Sequence, residues 1–147
     1  MQVYADLVLE RASRGEPRGR ATVRTLPVAS TRLPPHPAST RAARAFVAEH
    51  LRTWHVESAV DDATLLVSEL VTNAILHART PINLVIRKAK TAVRVEVFDE
   101  GSGAAEPLYP DLDAAAGRGL GLVQAVASRW GVDEAEIGKT VWFEVAL

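Results

Sequence analysis

The chain has 147 residues, enough for one domain with a substantial core, and its 17 basic and 18 acidic residues nearly cancel to a formal charge of −1. With no dense Lys/Arg block beyond the scattered arginines of residues 11–24, bulk nucleic-acid binding is not suggested. Cysteine is absent, which excludes disulfides, thiolate metal sites and a cysteine nucleophile, and no apolar run approaches the ~20 residues of a membrane-spanning helix. The first residues show no basic region followed by an apolar core, so the protein is expected to be soluble and cytoplasmic, without a membrane segment.

In chain order, residues 1–30 form a leader. Residues 3–9 suit a short strand or a helix, and Arg14-Gly15-Glu16-Pro17-Arg18-Gly19-Arg20 reads as a flexible link; the leader is either disordered or an element for dimerisation or partner binding. The domain proper is assigned to residues 31–147. Residues 22–26 have strand character before Pro27, and Leu33-Pro34-Pro35-His36-Pro37 is a stop that places Pro37 at the first turn of the next helix. From residue 38 to about 54, Ala42, Ala45, Phe46, Leu51 and Trp54 fall near helical spacing and predict a first packing helix.

Residues 61–78 form the central helix. Leu66, Leu70, Ala63, Ala74, Val67, Val71, Ala78 and Ile75 make its apolar arc, with Leu65 and Leu76 at the edges. Beside the arc, Glu69, Asn73 and His77 are spaced four apart, so each drifts only about 40° from the last and all project from one side. Taken alone this row is a solvated face; at the rim of a core it is a place for a working carboxylate. Residues 82–98 then alternate as a hairpin around Lys88-Ala89-Lys90-Thr91 and run straight into Asp99. Residues 100–118, with glycines at both ends and Pro107 and Pro110 inside, read as a mobile loop of functional length. Residues 119–130 return to helix, with Leu122, Val123, Val126 and Trp130 on one side and Gly131 as the stop; a last hairpin joins residues 132–137 to 140–147 across Gly138-Lys139.

Two further stretches carry chemistry. Asp99-Glu100-Gly101-Ser102-Gly103 places a carboxylate at the end of a buried strand, able to accept a hydrogen bond from an amine, with glycines that let a flat ligand approach the backbone. By itself this is also an ordinary strand end. Gly117-Arg118-Gly119-Leu120-Gly121-Leu122 is a glycine-rich loop opening a helix, whose free amides suit phosphate oxygens. It is not a dinucleotide fingerprint, because Leu122 holds the third glycine position and a loop precedes it. Gly138-Lys139-Thr140 is rejected as a P-loop end, since strand follows it where helix is required and Asp133 holds the first glycine position. Glu49-His50-Leu51-Arg52-Thr53 is superficially similar to a histidine-kinase phosphoacceptor segment, but lacks the carboxylate after the His and the proline after the Thr, and His50 is read as an ordinary helix residue.

Taken in order, these three stretches resemble the N, G1 and G2 boxes of the Bergerat-fold (GHKL) ATP-binding family over about residues 33–147. Within it, the Ser-Glu-Leu-Val-Thr-Asn-Ala-x-x-His-Ala helix, the short lid and the closing Gly-Lys-Thr-Val-Trp-Phe-Glu-Val are similar to the anti-sigma factor serine/threonine kinases of actinobacteria. The resemblance implies an α+β fold, a two-layer α/β sandwich with a mixed, mainly antiparallel sheet and helices on one face. It implies ATP and Mg²⁺, with Asn73 as the metal ligand, Glu69 as general base, Asp99 accepting from the adenine amine, and Gly101 and Gly103 as the hinge beside the base. Gly117, Gly119 and Gly121, with Leu120 in the same loop, match the phosphate cradle, Arg118 a charge clamp, and Thr140 the strand threonine that contacts adenine. His77 has two readings, a phosphate-side contact at the helix end or a structural role. The partners implied are a sigma factor and a STAS-type anti-sigma-factor antagonist, with a homodimer and no direct nucleic-acid contact. Two rival readings stand beside the kinase: a nucleotide-dependent anti-sigma or scaffold module with little phosphotransfer, because residues 104–116 carry Asp111 and Asp113 but no Lys or Arg, and a detached histidine-kinase catalytic domain, disfavoured by the short lid.

Overall fold

The computed structural model describes residues 26–101 and 118–147. The elements are β1 (Val28–Leu33), α1 (Ala38–Thr53), a single 3-10 turn (Glu57–Ala59), α2 (Val60–His77), β2 (Ile82–Lys88), β3 (Ala92–Asp99), α3 (Arg118–Val126), β4 (Arg129–Glu134) and β5 (Lys139–Ala146). Among the described residues the strands form one five-stranded sheet in the order β1-β2-β3-β5-β4, with every pairing antiparallel, as the expected two-layer α+β fold with a mainly antiparallel sheet requires.

The sheet has one apolar face because its strands alternate with period two. Ile82, Leu84 and Ile86 of β2, Val93, Val95 and Val97 of β3, and Val141, Phe143 and Val145 of β5 are all buried, and the register sets Val97 across from Val141 and Val95 across from Phe143. On this face lie the helices. α2 buries Val60, Ala63, Leu66, Val67, Leu70, Val71 and Ala74, a stripe about as wide as two packed layers require, while Leu65 and Leu76 remain exposed.

The opposite face of the sheet is held by charge and one indole. Glu96 accepts from Arg87 and from Arg94 Nε (2.9 Å), Glu144 lies 3.6 Å from Arg129, and the Arg94 guanidinium sits 3.8 Å from the centroid of the Trp142 ring.

Three expectations are corrected, and one strand lies where none was read. β1 (Val28–Leu33) is that strand; of the strand expected over residues 22–26, residues 22–25 lie outside the described residues and Leu26 is in no strand, while Pro27 precedes β1 with its carbonyl accepting from Lys88 N (2.9 Å). This strand crosses the division drawn at residues 30 and 31. It pairs with β2 along one side only, and apart from Leu33 it is at most half-buried, so its alternation is too weak to read.

The buried face of α1 is Ser39, Ala43, Val47 and Leu51, whereas Ala42 and Ala45 are exposed. Alanines on every side of a helix do not say which side packs; Val47 and Leu51 decide it. Pro37 occupies the N-cap, and the amide of Ala38 donates to His36 Nδ1 (3.0 Å), which satisfies one of the helix's free donors.

The helix expected to reach Trp130 stops at Val126, and Trp130 and Gly131 belong to β4. Ser128 turns the chain by donating both its amide (2.8 Å) and its hydroxyl (3.0 Å) to the Glu144 carbonyl. Gly131 is therefore not a helix stop but a strand residue pressed against Trp142, where a Cβ would come within 2.7 Å of the ring. Finally, β4 ends at Glu134 and β5 begins at Lys139, so Lys139 is a strand residue and not part of the turn.

Candidate functional site

The site is assembled where the C-terminal half of α2 meets the ends of β3 and β5. Glu69 and Asn73 are half-buried on α2, one turn apart and beside its apolar stripe, and His77, the last helical residue, is exposed. The Nδ2 of Asn73 is buried and has no hydrogen-bond partner among the described residues, a condition it shares with Asn83 Oδ1, Arg87 Nε, Glu96 Oε2 and Trp142 Nε1 in strands of the sheet. A buried donor of this kind costs about 1–3 kcal/mol unless something accepts from it, so the position is poised for a ligand with acceptor oxygens. Rotating the amide by half a turn presents Oδ1 instead, which suits a hard cation.

α2 ends in a turn through Arg79 at φ 56, and Thr80 Oγ1 then accepts from the amide of Glu100 (3.1 Å). This ties the helix exit to the end of β3. Gly101 lies directly against Ala78, where an added Cβ would stand 2.7 Å from the Ala78 Cβ and 3.0 Å from Asp99 Oδ1. The close approach explains why glycine is required there. Gly101→Ala is expected to cost about 1–3 kcal/mol by overpacking, read as a lower midpoint in urea unfolding at unchanged slope.

Asp99 is 2% exposed and closes the apolar row Val93, Val95, Val97. Its Oδ1 accepts from the Gly101 amide (3.0 Å) and from Lys139 Nζ (3.3 Å). Gly138, at φ +84, delivers Lys139 to this place; a Cβ at that position would meet the Asp99 carbonyl oxygen at 2.2 Å.

The register separates Thr140 from the carboxylate of Asp99. Lys139 pairs with Asp99 and Thr140 with Phe98, so alternation puts Lys139 on the face of Asp99 and Thr140 on the other. Thr140 is buried, but it is not the β5 residue beside the carboxylate. Sequence reading passed over Lys139 because the Gly-Lys-Thr string drew comparison with a P-loop. The available signal was parity: Lys139, Val141, Phe143 and Val145 share one face, and a lysine in a core-facing series needs a charged partner.

Of the glycine-rich segment, Gly103 and Gly117 lie outside the described residues. Arg118, Gly119 and Leu120 form the first turn of α3, and Gly121 is exposed with open space where a side chain would be. The amides of a helix's first turn have no partner within the helix, and such amides suit anionic oxygens. Val123 anchors α3 in the core beside α2.

The unpartnered Nδ2 of Asn73 suits the acceptor oxygens of a nucleotide phosphate or, with the amide turned, Oδ1 suits its cation, and the first turn of α3 is of the kind that binds anionic oxygens. Among the described residues no cluster of three or more His, Asp or Glu is arranged to hold a metal. A cleft of about 500 Å³ lined by Arg41, Arg44, Arg52, Asp61 and Thr64 lies between α1 and the start of α2 and includes none of these residues. No helix among the described residues is long and apolar enough to cross a membrane.

A two-layer sandwich with a nucleotide-type site at the end of its central helix defines the class. The histidine kinase-like ATPase domain matches residues 33–145, well over half of the chain, and the protein belongs to that GHKL-type family. A search among curated proteins gave no match.

Proposed function

We propose that the chain is an ATP-dependent protein serine/threonine kinase of the anti-sigma-factor type. It phosphorylates a STAS-type anti-sigma-factor antagonist, holds a sigma factor when unphosphorylated antagonist is scarce, and works in the cytoplasm as a homodimer. The observation that carries the nucleotide reading is the buried, unpartnered amide of Asn73 one turn from Glu69. Bound ATP with Mg²⁺ supplies the transferable phosphoryl group and most of the charge neutralisation. Asn73 offers the cation a neutral oxygen, Glu69 takes the proton of the incoming hydroxyl, Asp99 accepts from the adenine amine, and the first-turn amides of α3 meet the phosphates. The exposure of His77 speaks against a packing role and favours a phosphate-side contact.

A second reading is a nucleotide-dependent binding module with little or no phosphotransfer. It is favoured by the composition of residues 104–116, which include Asp111 and Asp113 but no Lys or Arg to neutralise a departing phosphoryl group.

The test is transfer of label from γ-labelled ATP to STAS-type antagonists with Mg²⁺ present. Acid-stable label on serine or threonine is expected. Nucleotide binding without transfer would leave the binding module, and acid-labile label on histidine would overturn the serine/threonine assignment.

A further inference from the structure

Lys139 is the residue that the functional reading leaves unused. It is 5% exposed, lies on the helix-facing side of the sheet directly across from Asp99, and reaches its carboxylate at 3.3 Å. An ammonium carries three donors, and among the described residues Asp99 Oδ1 receives the only side-chain hydrogen bond Lys139 makes. Asp99 has the complementary arrangement: both of its donors converge on Oδ1, and no described residue donates to Oδ2. Among the described residues the pair therefore presents an acceptor beside donors with no partner, at the edge of a core and next to a glycine that admits no side chain.

The hydrogen-bonding edge of adenine offers the matching pattern, with a donor at the exocyclic amine and an acceptor at the adjoining ring nitrogen, N1. Guanine offers the reverse, an acceptor at O6 beside a donor at N1. A carboxylate alone reads only the amine. A fixed carboxylate and ammonium side by side read both positions, and burial makes each mismatch expensive because the unpaired group has no water to turn to.

We propose that Lys139 is a base-reading residue, donating to N1 of adenine while Asp99 accepts from the amine. This rests on the nucleotide-binding reading of the same site. The cross-strand ion pair then has two tasks: it compensates the buried carboxylate in the free protein, and it sets base specificity in the bound one.

The experiment is calorimetric binding of ADP and of 1-deaza-ADP, in which carbon replaces N1, to the full chain and to Lys139→Met. The wild type is expected to bind ADP roughly 10- to 100-fold more tightly than the analogue, as suits a hydrogen bond to a charged group. In Lys139→Met that preference is expected to fall below about threefold. A merely structural lysine would weaken both ligands together and leave the ratio intact, which overturns the proposal. Equal binding of the two ligands by the wild type also overturns it while leaving the nucleotide site standing, whereas failure of the wild type to bind either ligand removes the underlying reading as well.

Should Lys139→Met fail to fold, the wild type still decides. The chain has only three lysines, Lys88, Lys90 and Lys139, so ¹⁵Nζ spectra are sparse, with Lys139→Arg giving the assignment. ADP is expected to shift the Lys139 ammonium signal and 1-deaza-ADP to shift it far less; an ADP-saturated protein whose Lys139 signal has not moved overturns the proposal.

Discussion

Asn73→Ala is expected to bind ATP no more tightly with Mg²⁺ than without it, a loss of roughly 10²-fold in the magnesium-dependent affinity, or about 2.7 kcal/mol. On the proposed reading the cation loses the oxygen of Asn73, and with the side chain goes the Nδ2 that is buried without a partner in the free protein. The fold should not suffer, because the wild-type amide contributes an unsatisfied donor rather than a bond, and removing an orphaned polar group from a half-buried place is neutral or mildly stabilising. The urea midpoint should therefore hold or rise while calorimetry loses its magnesium effect. An unchanged affinity in the variant would remove the metal assignment from Asn73.

Glu69→Gln separates binding from chemistry. The substitution keeps the shape of a half-buried side chain on α2 and removes only its capacity to take a proton. Nucleotide affinity is expected to stay within about threefold, while transfer to the antagonist slows by ~10²–10⁴, the range that a positioned general base contributes. The comparison must be made on single-turnover transfer, since slow product release would mask a loss in the chemical step. A variant that transfers phosphate at the wild-type rate would place the base elsewhere and leave Glu69 as a rim residue. If both substitutions behave as expected, the row read from the spacing of Glu69, Asn73 and His77 divides into a base, a metal ligand and an exposed helix end.

Much of this architecture was legible before any coordinates. Valines at 93, 95 and 97 can only alternate in a strand, and seven of the apolar residues on α2 repeat at three and four, so both elements lie where periodicity put them. Weak periodicity explains the misses. β1 has one buried residue, Leu33, and shows almost no alternation. The helix reading through Trp130 failed because Val123, Val126 and Trp130 keep a helical spacing across a chain reversal that is made by Ser128 hydrogen bonds to a residue of β5, which no local pattern reveals.

The amino-acid sequence by itself determined the alternation of the strands, the amphipathic central helix, and the ordered carboxylate, amide and glycine stretches that carry the family likeness. Those properties are local, set by side-chain period and by the backbone freedom of particular residues. Tertiary structure alone decided which residue of the final strand stands beside Asp99. A shift of one position in an antiparallel register sends every side chain to the opposite face, and only the pairing of β3 with β5 places Lys139 next to the carboxylate and turns Thr140 away.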